Sequence, residues 1–258
     1  MARLAGKSAL ITGGGGGGIG AARARIFSAE GLAMTLVDAS ADALACTAAA
    51  LSEAVPNACV VTRVDDVPNA GRASEAVTHA VATHGRLDIL VNNAAMRNYA
   101  ALADATPADW QAMAGVNLIG TAGYCKAALP ALRASGKASI VNVSLCYAVT
   151  GRKGMGLYDA TKAGMLALTR TLAFEEAAHG VRANTLCPGS TLTDFHVSRA
   201  TAAGKSLEKL AGERQNTSML ARWAAPEEIA CPILWLASDE ASFITGTTLM
   251  VDAGLHAM

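Results

Sequence analysis

A tyrosine and a lysine four residues apart, Tyr158 and Lys162, are the pair in this 258-residue chain best suited to chemistry. On a helix, positions i and i+4 project from one face a turn apart, so the ammonium stands beside the phenol. A cation next to a phenol favours its ionised form and lets it exchange protons with a bound hydroxyl. Taken alone, a pair at this spacing more often means a packed ring beside a solvated amine than a catalytic pair. What would give the pair a reaction is the set of elements that has to hold it.

Composition narrows those elements. With 52% hydrophobic and 16% charged residues, the chain buries one large core, and strand-like and helix-like segments alternate without a linker, so residues 1–258 read as a single domain. The 21 basic and 21 acidic residues cancel. That balance leaves no basic footprint for nucleic acid and no polybasic segment for a membrane. No apolar run reaches the roughly 20 residues of a membrane span, and the N-terminus runs into a strand without the apolar region of a secretory signal; a cytoplasmic protein is expected. The six cysteines and five histidines show no C-x-x-C or H-x-x-x-H spacing, so no metal site is expected.

Along the chain, Ser8–Thr12 reads as a buried strand, followed by a glycine run from Gly13 to Gly18 and a helix that starts near Ile19 and Gly20. Bare backbone between a strand and a helix N-terminus suits a pyrophosphate, although six glycines also describe a flexible linker. A second strand, residues 33–38, closes on Asp38, eighteen residues after Gly20. A dinucleotide fold places there the carboxylate that accepts from ribose hydroxyls. Asp38 would repel a 2′-phosphate, and Ala39 and Ser40 supply no cation for one, which points to NAD. Further strands are expected at 59–64, ending on Asp65-Asp66-Val67, at 87–91, ending on Asn92-Asn93, at 139–143, ending on Ser144-Leu145, and at 181–187, ending on Pro188-Gly189. Ligands in an open parallel sheet lie beyond the carboxyl ends of strands, so these polar ends carry weight. A helix is expected from Pro107, capped by Thr106, disturbed at Asn117 and ended by Pro130. The stretch of about 190–220 has no clean period and reads as a substrate lid. The whole is expected to be a Rossmann-like, doubly wound parallel α/β sheet of about seven strands with helices on both faces.

The ordered set of these residues resembles the short-chain dehydrogenase/reductase family, in its compact single-domain branch. The likeness spans Thr12 to Gly20, Asp66-Val67, Asn92-Asn93-Ala94, Asn117, Tyr158 with Lys162, Pro188-Gly189 with Thr193, and Ile244-Thr245-Gly246 with Val251-Asp252. The resemblance implies that Gly14, Gly18, Ile19 and Gly20 bind pyrophosphate, Asp38 the adenosine ribose, Asp66 and Val67 the adenine, and Asn93 the nearby ribose. It implies Pro188, Gly189, Thr191 and Thr193 around the nicotinamide, Tyr158 as general acid/base, and Lys162 as its partner and a ribose ligand. Asn117 would anchor a proton-relay water, and the assembly would be a homotetramer.

Three positions depart from the family pattern. The glycine loop is one residue longer, Ala95 stands where glycine is usual, and Leu145 occupies the place of the catalytic serine, thirteen residues before Tyr158. A leucine cannot donate to a substrate oxygen. Ser144, if the strand end bulges, or Tyr147 would have to supply the hydroxyl. The expectation is an NAD-dependent oxidoreductase interconverting a secondary alcohol and a ketone. The alternative is a catalytically weak dinucleotide-binding sensor or docking module. Arg97, Arg152 and Lys153 flank the expected pocket and would favour an anionic or polar substrate if they reach it.

Overall fold

The computed structural model describes residues 2–15 and 18–258; Gly16 and Gly17 of the glycine run lie outside the described residues. Seven strands form one parallel sheet in the order β3-β2-β1-β4-β5-β6-β7: β1 (Ser8–Thr12), β2 (Ala33–Asp38), β3 (Val60–Val64), β4 (Ile89–Asn92), β5 (Ala138–Val143), β6 (Val181–Pro188) and β7 (Thr248–Val251). The chain winds outward from β1 to β3 and then crosses to β4, so the crevice between the ends of β1 and β4 is the topological switch point.

Alternation along the strands builds two cores. Ala9, Ile11, Met34, Leu36, Ile89 and Val91 join one cluster, with Phe27 of α1 (Ile19–Ala29), Leu44 and Leu51 of α2 (Ala41–Ala54), and Ile229 and Ile233 of α9 (Pro226–Ala237). Leu10, Val37, Leu90 and Ile140 point the other way, against Ala76 and Ala80 of α3 (Ala70–His84), Tyr124 and Leu132 of α5 (Thr121–Ser135), and Leu172 of α6 (Gly156–Glu176). Successive side chains of a strand face opposite sides, so a sheet covered on both faces needs a nearly continuous apolar run.

Between the expected helix start at Pro107 and Ser135 the chain makes α4 (Pro107–Ala114), a π-helical segment Gly115–Gly120, and α5. Thr106 and Asp109 form the capping box of α4. Pro130 does not end the helix as expected: α5 runs through it and stops at Gly136 in the left-handed region. Pro130 and Lys126 both lie on the exposed side, where the carbonyl that a proline leaves unbonded can meet water, while Ala128 and Leu132 keep the opposite side in the core. The expected lid is more regular than its sequence suggested, with α7 (Asp194–Ala202) and α8 (Leu207–Gly212) gathered on a small cluster of Ala200, Leu210 and Trp223. No helix of the described residues is long and apolar enough to cross a membrane, and no group of three or more His, Cys, Asp or Glu that could hold a metal ion occurs among them.

Candidate active site

The strand ends on either side of the switch point are locked together. Thr12 Oγ1 accepts the backbone N–H groups of Asn93 and Ala94 at 3.1 and 3.2 Å, and Asn93 Nδ2 donates to the Gly13 carbonyl at 2.9 Å. The glycines here answer a steric demand. A Cβ on Gly13 would lie 2.8 Å from the Ala94 backbone, one on Gly18 2.8 Å from Thr193 Cβ, and one on Gly20 2.9 Å from the Gly13 carbonyl. Gly13 and Gly18 have φ of 65° and 103°, a region in which glycine alone is unstrained. The described ends of the loop, at Gly13 and at Gly18 and Gly20, are therefore held.

Asp38, at the end of β2, takes the Gly15 N–H on Oδ2 and the Ser40 N–H on Oδ1, each at 3.0 Å. Each carboxylate oxygen keeps a free lone pair. Asp38 shares a cleft of about 610 Å³ with Asp66, Val67 and Asn93. Gly14 N–H is spent on the Val37 carbonyl, which turns the loop over the end of β2. A cradle of backbone, a fixed carboxylate with spare acceptors and a helix N-terminus fit a dinucleotide.

A second cleft of about 460 Å³ opens beside the first and shares Asn93, Ala95, Arg97, Tyr99 and Thr193 with it. Ile19, Pro188, Gly189 and Thr191 line it, and Tyr158 and Lys162 lie on its wall. Both side chains come from α6 and are nearly buried. Lys162 Nζ stands 5.8 Å from the Tyr158 ring centroid and donates to the Val143 carbonyl at 2.8 Å, which leaves two of its three N–H groups for a ligand. Burial, reinforced by Arg97, pushes Lys162 down to about 7.

Asn117 is fully buried in the π-helical segment and does not line the cleft. Its Oδ1 accepts the Met96 N–H at 2.8 Å, and its Nδ2 donates to the Met96 carbonyl at 3.0 Å and to Thr161 Oγ1 at 3.1 Å. A π turn inserts one residue into a helix and turns a side chain out of its regular row. Here it lets an asparagine clamp the β4 loop, just before Arg97, to the helix that carries Tyr158.

The missing serine has no structural substitute at position 144. The Ser144 N–H continues the ladder to the Leu186 carbonyl at 2.8 Å, so the strand end does not bulge. Ser144 Oγ donates to the Lys162 carbonyl at 2.8 Å. Leu145 instead packs with Met113, Met155 and Tyr158 at the cleft wall. The period of two explains the exchange: if 144 faces α6, then 145 faces the cleft. Tyr147 lines the cleft beneath Arg152, whose guanidinium carbon is 4.4 Å from the ring centroid.

The charged wall of the cleft is only partly as expected. Arg97 and Arg152 line it and Lys153 does not. Arg152 is tied to Asp159 at 3.2 Å. Arg199 and Arg214, which sequence reasoning had left in an irregular stretch, reach the same cleft with His196 and Trp223. Their only signal in the sequence was basic residues in an aperiodic segment.

A parallel sheet with a dinucleotide cradle at its switch point and a tyrosine-lysine pair beside it defines a nicotinamide-dependent oxidoreductase. A family model described as enoyl-(acyl carrier protein) reductase matches residues 14–256. The chain is 36% identical to the short chain dehydrogenase/reductase astE of Aspergillus oryzae, over 98% of this chain and 95% of that protein. It is 35% identical to the 3-oxoacyl-(acyl-carrier-protein) reductase FabG of Thermotoga maritima, over 98% of this chain and 99% of that one. The crystal structure of carveol dehydrogenase from Mycobacterium avium in complex with NAD matches with a TM-score of 0.91 at 29% identity, covering 100% of both chains. The protein belongs to the short-chain dehydrogenase/reductase family, whose oxidoreductases act on small molecules with a nicotinamide dinucleotide.

Proposed function

We propose that the protein is an NAD-dependent oxidoreductase that interconverts a secondary alcohol and a ketone. The observation that carries this reading is the continuity of the two clefts: the wall bearing Tyr158 and Lys162 begins where Asn93 and Thr193 end the dinucleotide cradle. NAD, when bound, accepts or returns the hydride. In oxidation Tyr158 Oη would take the proton of the substrate hydroxyl, and in reduction it would return that proton to the carbonyl oxygen. Lys162, with N–H groups to spare beyond its bond to the Val143 carbonyl, would hold a ribose hydroxyl beside Tyr158. Pro188, Gly189, Thr191 and Thr193 would fix the nicotinamide plane; Asn117, whose amide is spent on Met96 and Thr161, would hold the β4 loop in register and not anchor a relay water through its side chain. Helices α7 and α8 would act as the lid. NAD over NADP is supported by Asp38, whose charge stands where a 2′-phosphate would have to go, with no cation at 39 or 40 to offset it. Ile119 and Phe174 are exposed on the outer side of the Asn117 and Tyr158 helices, which supports the homotetramer.

Replacement of Tyr158 by Phe should reduce turnover by at least about 10³ while NADH, followed by its fluorescence, still binds. Unchanged turnover would sink the reading. In the same assay NADH should be preferred to NADPH, and Asp38→Asn should narrow that preference. A second reading, a dinucleotide-binding sensor, is favoured by Leu145 alone. It predicts NADH binding with no turnover across a panel of alcohols and carbonyls.

A further inference from the structure

The chain is neutral overall, with 21 basic and 21 acidic residues, yet the substrate cleft is not. Of the charged side chains on its wall only Glu213 is acidic, and Lys205 already holds it at 2.7 Å. Arg152 is taken by Asp159. Lys162 belongs to the tyrosine pair and donates to the Val143 carbonyl. That leaves Arg97, Arg199 and Arg214, none of which has an ion-pair partner among the described residues; Arg214 Nε is buried there without a hydrogen bond.

Each of the three lies on an aromatic face. Arg97 sits between Tyr158 and Phe195, with its guanidinium carbon 5.7 and 5.4 Å from the ring centroids. Arg199 covers Tyr99 at 4.6 Å and Arg214 covers Trp223 at 4.3 Å. A guanidinium over a ring can keep its in-plane donors, the fork that matches an oxyanion, for a ligand; Arg97 shares part of its fork with the Tyr158 and Tyr99 hydroxyls. The rings also link Arg97 to Arg214. His196 contacts Phe195 and Trp223 at centroid distances of 5.4 and 5.0 Å, and its Nδ1 is within 3.0 Å of Thr193 Oγ1. Burial, then Arg97, Arg214 and Arg199 in that order, push His196 down to about 4, so at neutral pH the imidazole adds no fourth positive charge.

We propose that Arg97, Arg199 and Arg214 form an oxyanion site and that the substrate is an alcohol or ketone carrying a carboxylate, phosphate or sulfonate group. This rests on the oxidoreductase reading for the reaction and on the arginines alone for the anion. Arg97, in contact with the reacting tyrosine, places the acidic group within a few bonds of the carbon that exchanges hydride. A neutral alcohol of the same size would leave three cations in a partly desolvated cleft without a counter-charge.

Two measurements separate the proposal from the reading beneath it. First, acetate, inorganic phosphate and methanesulfonate are titrated in turn at constant ionic strength. Intrinsic fluorescence reports Trp223 beneath Arg214, and calorimetry checks the binding. A saturable response is expected, with an apparent Kd raised at least tenfold in Arg199→Gln/Arg214→Gln and unmoved in Lys209→Gln, an exposed charge outside the cleft. The order of the three anions identifies the group. No saturable response, or one indifferent to the double substitution, overturns the site. Second, kcat/KM is compared for 3-hydroxybutyrate and its methyl ester. The acid should be favoured, and the double variant or Arg97→Gln should cut that ratio tenfold or more; a ratio that does not move overturns the proposal. Tyr158-dependent turnover of the ester without anion binding would leave the reaction standing and remove the site. Anion binding with turnover indifferent to Tyr158→Phe would do the reverse.

Discussion

Leu145 and Arg23 show how much one side chain can decide. Both 144 and 145 line the cleft, yet neither has a hydroxyl proton to offer, because Ser144 donates its own to the Lys162 carbonyl and Leu145 is apolar. Removing one such donor from an active site typically costs about 10²–10³ in rate. Leu145→Ser should therefore raise kcat by a comparable factor on a confirmed substrate. A gain below tenfold would assign the role to a donor already in the cleft, Arg97 or Tyr147. Arg23 poses the opposite problem. It is fully buried in α1, its three guanidinium nitrogens have no partner among the described residues, and burial pushes it down to about 9. An unpaired buried charge is costly, and an apolar side chain of similar length removes that cost. Arg23→Met should stabilise the protein by about 1–4 kcal/mol in urea denaturation; a loss of stability would reveal an acceptor that the guanidinium requires.

At the scale of elements, helix ends matter because they set where strands begin. Gly85, after α3, has φ 76° and open space around a would-be Cβ. Gly180, before β6, has φ 71°, and its Cβ would collide with the Gly136 carbonyl, where α5 ends. Both pay the left-handed penalty of about 1–2 kcal/mol on change to alanine. Only Gly180 adds backbone overlap, for a further 1–3 kcal/mol or so. Gly180→Ala should thus lower the urea midpoint clearly more than Gly85→Ala; equal losses would contradict the packing of the α5 and β6 ends. That junction leads, through the β5 and β6 pairing, to Ser144 and Pro188.

For the molecule as a whole, the cost of burying Lys162 makes stability depend on pH. Its folded value is about 7 against an ordinary 10.5. Between these the unfolded chain carries a proton that the folded protein does not, so stability rises with pH across that window and the penalty is complete below 7. From pH 7 to 9, the unfolding free energy of the cofactor-free protein should gain at most about 1.4 kcal/mol per unit from this group. Lys162→Met should flatten that slope. His196, lowered to about 4 from 6.5, acts in the same sense further down: stability is lost as pH falls from 6.5 to 4.

Local rules made much of this architecture legible. The strands at 8–12 and 33–38 follow from apolar runs, and the observed bounds of β1 and β2 agree with them. Thr106, Asn69 and Gly85 mark helix ends by short-range chemistry that a sequence displays directly. Tyr158 and Lys162 were found because helical spacing alone puts them on one face. Where the sequence misled, a longer-range contact had the final word. Pro130 stays within α5 because the core packing of Ala128 and Leu132 outweighs one lost hydrogen bond. Ser144 turns inward because the β5 ladder to β6 fixes its face, a choice made by a strand some forty residues away. The arginines of the cleft come from 97, 199 and 214. No periodicity joins positions so far apart; only the folded chain, setting each over an aromatic ring at the cleft wall, brings their charges to one place.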